Sequence, residues 1–168
     1  IGIGTNLGDR ENNLHHALSR MDERVGTQIA CSSVYRSKPK GFDSDNEFAN
    51  IVVVYDTNYT AEQLLVITQQ IECEMGRTEK SINGIYHDRI IDIDLLYAYS
   101  LSPVTSEHIP YSCSTPTLVL PHPRMKERDF VMIPLEEVLQ ITNDNLSLCF
   151  YENQYYIFDS CSYYDNLH

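Results

Sequence analysis

The sequence lacks tryptophan, has few basic residues and contains no long hydrophobic run. Its 168 residues include 12 Lys and Arg against 24 Asp and Glu, which gives a formal net charge of −12. This balance argues against a nucleic-acid binder, because such proteins present a basic surface to phosphate. No apolar stretch approaches the ~18 residues of a membrane-spanning helix, so we expect neither a membrane span nor a secretory signal. A phosphate ligand would need local positive charge to overcome the acidic field.

The cysteine pattern gives no disulfide framework. The five cysteines are an odd number, are widely spaced and form no C-x-x-C pair. Reduced thiols in the cytoplasm fit this usage, with the mitochondrion as the alternative for a eukaryotic protein. Cys31 and Cys73 stand in apolar contexts, and we expect both in the core.

The order of predicted elements is β-α-β-β-α-β, followed by short helices. This order is typical of a ferredoxin-like α/β (α+β) sandwich. The predicted strands cover residues 1–4, 27–35, 48–55 and 89–99. One predicted helix follows Asp9, and another follows a Thr60–Gln63 capping box. Short helices are predicted at 124–128 and 135–139.

The domain organisation follows from shifts in composition. Residues 1–139 are predicted to form one domain, with an insertion near 100–116 that is rich in Ser, Thr and Pro. Residues 140–168 contain many tyrosines but no Lys or Arg, and their hydrophobic periodicity is poor. We interpret them as an appendage, an insertion or a linker toward a further domain.

Two aspartates on one strand are the strongest chemical signal. Alternate side chains of a strand share a face, so Asp92 and Asp94 are predicted to point one way while Ile91 and Ile93 point the other. Aspartate is depleted in strands, and two like charges on one face repel each other unless a cation lies between them. Mg²⁺ is the usual cation, held by one or two carboxylates and by substrate phosphates. The alternative is a strand whose polar face is simply solvated.

Four arginines flank this acidic pair in the sequence, at positions 77, 89, 124 and 128. Each one alone is more often a surface residue, but the group suits a metal-bound polyphosphate with arginines around the developing charge. His122 lies between two prolines, which predicts a rigid turn. It is either a structural histidine or a neutral hydrogen-bond donor to phosphate.

Short sequence blocks along most of the chain match one enzyme family. In this order and spacing they resemble the 6-hydroxymethyl-7,8-dihydropterin pyrophosphokinases, over roughly residues 1–139. The blocks are residues 4–8 (GTNLG), 33–37 (SVYRS), 48–50 (FAN), 72–77 (ECEMGR), 88–96 (DRIIDIDLL), 120–125 (LPHPRM) and 128–131 (RDFV).

The resemblance implies a ferredoxin-like fold with three mobile loops and an ATP-dependent diphosphotransferase of folate biosynthesis. ATP would give its pyrophosphoryl group to the hydroxymethyl oxygen of the pterin, and AMP would be released. Two Mg²⁺ ions would bind Asp92 and Asp94, while Arg77 and Arg89 would steady the phosphates. The other implied contacts are Gln69, Glu72, Arg89, Leu95, His122 and Arg128 for ATP, and Ser37, Lys40, Phe48, Asn50, Tyr86 and Phe130 for the pterin.

The chain departs from the family pattern before the acidic strand. Tyr86 stands where many relatives have Trp, and residues 87–89 are His-Asp-Arg where they have Gly-Pro-Arg. Residues 100–116 and the C-terminal part match nothing in the compact members. The resemblance therefore suggests a eukaryotic, multifunctional relative in which this domain is joined to dihydropteroate synthase.

Two other functions remain open on the residues alone. Ferredoxin-like palm domains of other Mg²⁺-dependent nucleotide enzymes also carry paired strand aspartates, but they release pyrophosphate. A catalytically degenerate scaffold domain is the other alternative, although such a copy has no chemical need for both aspartates and both arginines at positions 77 and 89.

Overall fold

A computed structural model describes residues 1–77, 86–105 and 107–142. Within them the chain forms a mixed α and β fold with a five-stranded sheet and three α-helices. The elements are β1 (Gly2–Thr5), α1 (Arg10–Arg24), β2 (Thr27–Cys31), β3 (Tyr35–Ser37), β4 (Phe48–Asp56), α2 (Ala61–Glu74), β5 (Asp92–Asp94), β6 (Ala98–Leu101), β7 (His108–Tyr111), β8 (Cys113–Ser114), β9 (Val119–Leu120), a 3₁₀ turn (Met125–Glu127) and α3 (Asp129–Ile141).

The main sheet has the strand order β2-β4-β1-β5, and β3 pairs with the start of β4. All of these pairings are antiparallel. This is the strand order of a ferredoxin-like βαββαβ sandwich, so the predicted fold class is confirmed. None of the helices in the described part of the chain is both long and apolar enough to cross a bilayer.

The two faces of the sheet have different partners. Ile3, Ile51 and Ile93 share one face, where they pack with residues of α1 and α2 in a buried core. Val52 and Leu96 lie on the other face, against α3. Because β4 is covered on both faces, its continuous apolar run needs no polar alternation. Helix α3 covers only part of the second face, and the remainder is open.

The helices α1 and α2 begin where the sequence signals predict. The Asp9 carboxylate accepts a hydrogen bond from the Asn12 N–H at 3.1 Å, which caps α1. At α2, the Thr60 hydroxyl accepts from the Gln63 N–H, and the Gln63 side chain accepts from the Thr60 N–H at 2.9 Å. These contacts satisfy N–H groups that have no partner inside the helix.

Two predicted strands are shorter than the sequence suggested. The strand expected over 27–35 is divided into β2 and β3, since the Ser33 N–H and hydroxyl donate to Glu137 of α3 instead of to a neighbouring strand. The strand expected over 89–99 keeps only β5 and the start of β6, and between them the Leu96 carbonyl accepts from the His122 N–H at 2.8 Å.

Three further predictions have different outcomes. The short helix expected at 135–139 is part of the longer α3. Cys73 is exposed, so its predicted place in the core is wrong; it lies on the solvent side of α2, whereas Cys31 is partly buried. The interpretation of residues 140–168 falls almost wholly outside the described residues.

Gly26, between α1 and β2, is expected to tolerate no side chain. It has φ +153°, and a Cβ built on it would lie 2.1 Å from the Asp56 carbonyl oxygen. Gly76 also has a positive φ, +93°, but a Cβ there meets nothing within 4 Å. Gly26→Ala should therefore lower the free energy of unfolding in urea by at least about 3 kcal/mol, and Gly76→Ala by about 1 kcal/mol. Equal losses in the two variants would show that the close approach at Gly26 is not limiting.

Candidate active site

The open face of the sheet forms the floor of the candidate site. Gly4 of β1 pairs with Asn50 of β4 on one side and with Asp92 of β5 on the other. In the same way, Gly2 lies between Val52 and Asp94. Glycine in a strand interior often marks a close approach of a ligand. Here the space above the two glycines is taken by neighbouring side chains: a Cβ on Gly2 would lie 3.2 Å from Leu96 Cδ1, and one on Gly4 would lie 3.0 Å from Asn50 Oδ1.

The carboxylates on this floor are surrounded by arginines. Asp92 Oδ1 accepts from Arg77 Nη1, and Asp92 Oδ2 lies 2.7 Å from Arg89 Nη2. Asp94 has a longer ion pair, 3.7 Å from Arg128 Nη1, and its side chain is 40% exposed. Three of the 12 Lys and Arg residues are thus gathered around the acidic pair.

The environment of Asp94 affects its ionisation. Loss of hydration in the cleft, followed by the negative charge of Asp92, raises the pKa of Asp94 to about 6. The arginines oppose this shift without cancelling it. A further cation beside Asp94 would relieve this unfavourable charge.

Glu72 of α2 is a buried carboxylate that contacts residues next to the acidic pair. It is only 5% exposed, and its carboxylate accepts from Arg77 Nη1 at 2.5 Å and from the Ile93 N–H at 2.7 Å. Burial raises the pKa of Glu72, and the charge of Arg77 counteracts the rise. This carboxylate therefore fixes both an arginine and the backbone between the two aspartates.

A cleft with a volume of about 190 Å³ lies over this face of the sheet. Three arginine–aromatic contacts build its walls: Arg89 lies 4.8 Å from the centre of the Phe48 ring, Arg128 lies 5.7 Å from that of Phe130, and Arg124 lies 5.3 Å from that of Tyr86. Such contacts combine flat apolar surface with positive charge. All six residues predicted to contact the pterin line this cleft: Ser37, Lys40, Phe48, Asn50, Tyr86 and Phe130.

Asn50 is held in one orientation within the cleft. It is 6% exposed, and its Nδ2 donates to the Ser37 hydroxyl at 3.0 Å and to the Tyr35 carbonyl at 3.3 Å. Its Oδ1 is turned toward Gly4, where a Cβ would lie 3.0 Å away. The absence of a side chain at Gly4 therefore gives the amide its room.

The residues predicted for catalysis and for ATP divide into two groups. Arg89, Asp92, Asp94 and Arg128 line the cleft. The cleft lining does not include Arg77, Gln69, Glu72, Leu95 or His122. Arg77 is connected to the cleft by its hydrogen bond to Asp92, which lines it. The individual roles assigned to both groups stay predictions.

Two of the other predicted ATP contacts, Leu95 and His122, are next in sequence or hydrogen-bonded to residues of the cleft lining. Leu95 is 8% exposed and packs in a third apolar cluster with Leu118 and Leu120. His122 is partly buried, and its Nδ1 accepts from the Arg124 N–H at 3.2 Å. Burial, followed by the charges of Arg128 and Arg124, lowers the pKa of His122 and so keeps the imidazole neutral.

The sequence predictions missed several residues of the cleft. The period of two along β1, with glycine alternating with isoleucine, was the signal that could have identified Gly2 and Gly4. Phe42 packs edge-on against Phe48, with ring centres 6.3 Å apart, but nothing in its local sequence indicates this contact. The other lining residues without a predicted site role are Ile3, Lys38, Gly41, Ile51, Val52, Leu96, Glu127 and Val131.

Comparison with known proteins gives consistent matches. Residues 1–140 match the family model described as 7,8-dihydro-6-hydroxymethylpterin-pyrophosphokinase. A 2-amino-4-hydroxy-6-hydroxymethyldihydropteridine pyrophosphokinase of Porphyromonas gingivalis is 44% identical over 138 residues, which cover 82% of this chain and 88% of the relative. The Bacillus subtilis protein of the same name is 36% identical over 141 residues, which cover 83% of this chain and 77% of the relative.

A longer relative matches as well. The folic acid synthesis protein FOL1 of Dictyostelium discoideum is 32% identical over 156 residues, which cover 88% of this chain but only 22% of that protein. A fusion to dihydropteroate synthase therefore stays a prediction for this chain.

Proposed function

The chain belongs to the 7,8-dihydro-6-hydroxymethylpterin-pyrophosphokinase family, and we propose that its pyrophosphoryl donor is ATP and that the transfer takes place over the open face of the sheet. The chain transfers a pyrophosphoryl group to 6-hydroxymethyl-7,8-dihydropterin in folate biosynthesis. One observation carries the assignment of the site: the strand carboxylates, three arginines and several aromatic rings line a single cleft.

The pterin is proposed to bind among the aromatic walls. A flat heterocycle with polar edges needs apolar faces and a few fixed hydrogen-bonding groups. Phe48 and Phe130 supply the faces, and Asn50 and Ser37 supply the polar groups. The hydroxymethyl group would then point toward Asp92 and Asp94, which line the same cleft.

The acidic pair has the chemistry of a magnesium site. Asp92 and Asp94 present their carboxylates on one face, and the described residues contain no group of three or more His, Cys, Asp or Glu that could hold a metal by itself. This fits Mg²⁺, which commonly takes one or two carboxylates and completes its shell with water and substrate phosphates. We therefore propose that Asp92 and Asp94 hold the Mg²⁺ ions predicted for the reaction. When bound, such ions neutralise phosphate charge and acidify the attacking hydroxyl.

The arginines orient the phosphate chain in this proposal. Phosphoryl transfer depends mainly on positioning and on stabilisation of charge, and it requires no covalent nucleophile. Arg77 is fixed by Glu72 and Asp92, and Arg89 is fixed by Asp92 and the Phe48 ring. Arg128 extends the positive wall beside Asp94. We propose that these three guanidinium groups contact the phosphates, with neutral His122 as a further contact of the nucleotide.

Asn50→Ala is expected to raise the KM for the pterin by about 10- to 100-fold with little change in kcat. The loss of a buried hydrogen-bonding partner weakens ground-state and transition-state binding equally. Steady-state kinetics with the pterin varied at saturating ATP measures this effect. Asn58→Ala, at an exposed position near the opposite end of β4, is the control and should match the wild type. A fall in kcat with an unchanged KM would contradict a binding role for Asn50.

The proposed function is tested by product analysis. The purified chain is incubated with ATP, Mg²⁺ and 6-hydroxymethyl-7,8-dihydropterin, and the nucleotides are separated. We expect AMP that depends on the pterin, is lost on addition of EDTA and returns with excess Mg²⁺. Pterin-independent release of pyrophosphate would instead favour another nucleotide enzyme, and no turnover at all would favour a scaffold domain.

A further inference from the structure

A cluster of polar side chains beside the cleft joins segments that are far apart in the sequence. The Asp88 carboxylate accepts from Asn6 Nδ2 at 2.6 Å through one oxygen and from Asn46 Nδ2 at 2.7 Å through the other. Asn6 follows β1, Asn46 belongs to the β3–β4 loop (residues 38–47), and Asp88 belongs to the segment before β5 (residues 86–91). One carboxylate thus connects three separate parts of the chain.

Asn6 makes the cluster rigid. It is 2% exposed, its Oδ1 accepts from the Arg89 N–H at 2.8 Å, and its own N–H donates to the Arg89 carbonyl at 3.1 Å. The Asn6 side chain also donates to the Asn46 carbonyl at 3.3 Å. The backbone of Arg89 is therefore fixed through the same asparagine that contacts Asp88.

The cluster lies outside the cleft but controls two of its walls. Asn6, Asn46 and Asp88 do not line the cleft. The two segments that Asp88 connects do line it, through Lys38, Lys40, Gly41 and Phe42 on one side and Tyr86 and Arg89 on the other. On the cleft side the same segments lie close together, since the Tyr86 ring lies 3.5 Å from where a Cβ on Gly41 would be.

We propose that Asp88 is a positioning residue for the transfer reaction, whose carboxylate ties the β3–β4 loop to residues 86–91 and so holds the pterin-binding wall against Arg89. This inference rests on the proposed function of the cleft. The hydroxyl of Ser44 and the amides of Asn46 and Asn6 stabilise the ionised carboxylate, which lowers the pKa of Asp88. The connection is therefore present at neutral pH.

A charge exchange tests the proposal. Asn46→Asp places two carboxylates within hydrogen-bonding distance, and their repulsion should separate the loop from residues 86–91. We expect the KM for the pterin to rise at least about tenfold, with the KM for ATP unchanged. Adding Asp88→Asn should restore the KM, because the new amide at position 88 can accept from Asn6 and donate to the new carboxylate at position 46.

A matched control separates the contact from the net charge. The double variant Asp45→Asn/Asn46→Asp has the same charge as Asn46→Asp/Asp88→Asn, but it keeps the two carboxylates opposed, since Asp45 is an exposed neighbour in the loop. It should remain impaired. Asp88→Ala, which removes both acceptors without adding charge, should give the same selective rise in the KM for the pterin, so the test does not depend on the folding of a single variant.

Hydrogen exchange supplies a readout that is independent of activity. In the absence of substrates, amides of residues 38–47 should exchange faster in Asn46→Asp and in its Asp45→Asn control, and at the wild-type rate in the restored double variant. This pattern tests the connection even if the wild type proves to catalyse another reaction. An unchanged exchange rate in Asn46→Asp, or equal kinetics in the two double variants, would overturn the proposal.

Discussion

Asp94→Asn is expected to lower the rate of pyrophosphoryl transfer by about 10²–10³-fold without loss of the fold. The Asp94 carboxylate lies on the floor of the cleft, 40% exposed, with a long ion pair of 3.7 Å to Arg128. Loss of hydration and the charge of the neighbouring Asp92 raise the pKa of Asp94, so we expect its ionised carboxylate to contribute little to stability. Removing the charge should therefore leave the melting temperature unchanged or raise it, while the proposed Mg²⁺ site loses one of its two carboxylates.

The measurement is kcat at saturating ATP, pterin and Mg²⁺, together with thermal unfolding of each protein. Asp56→Asn serves as the control, because Asp56 is exposed at the far end of β4. Activity within about threefold of the wild type in Asp94→Asn would remove this carboxylate from the mechanism. A large drop in the melting temperature would instead assign it a structural role.

Arg89→Ala should lower kcat/KM by at least about 10²-fold, since an arginine that stabilises transferring phosphates commonly contributes this much or more. The Arg89 guanidinium pairs with Asp92 at 2.7 Å and lies over the Phe48 ring at 4.8 Å. Its backbone is fixed by Asn6. It is thus held rigidly between the proposed pterin wall and the proposed metal ligands.

Arg89→Lys distinguishes charge from geometry at this position. Lysine retains the positive charge but cannot form the planar pair and the ring contact together, so we expect an intermediate loss. Arg36→Ala is the control, because the Arg36 side chain is 59% exposed and lies 3.9 Å from Glu11 in a weak surface pair. Full activity in Arg89→Ala, or equal losses in Arg89→Ala and Arg36→Ala, would contradict a role for Arg89 at the phosphates.

Local rules predicted the parts of the structure that depend on local periodicity. The alternation around Asp92 and Asp94 placed both carboxylates on one face, and the Thr60 capping box marked the start of α2. The resemblance to the family identified ten residues that line the cleft, because its short sequence blocks fix residue types at given positions, but five other residues that it selected do not line the cleft.

Contacts between distant segments could not be predicted in this way. Asn6 and Asp88 are 82 positions apart, and nothing in either local sequence indicates that they meet. The limits of β5 likewise depend on tertiary contacts. The strand ends at Asp94, and the Leu96 carbonyl accepts a hydrogen bond from the His122 N–H. Side-chain periodicity carries no information about such pairings.

The net charge of the chain does not describe how its arginines are distributed in space. A chain with a net charge of −12 can still attract a polyphosphate if its cations gather at one place. Arg77, Arg89 and Arg128 do so around two aspartates. The global charge therefore has no bearing on a nucleotide held in the cleft.

Pyrophosphoryl transfer by this chain is tested by following the β and γ phosphates of ATP into the products. ATP labelled separately at its β and γ phosphorus is incubated with the wild-type chain, the pterin and Mg²⁺, and the label is located in the separated products. If ATP gives up its pyrophosphoryl group as one unit, both labels appear together in the pterin product, with equal amounts of unlabelled AMP. Transfer of the γ label alone, with ADP as the nucleotide product, would contradict pyrophosphoryl transfer.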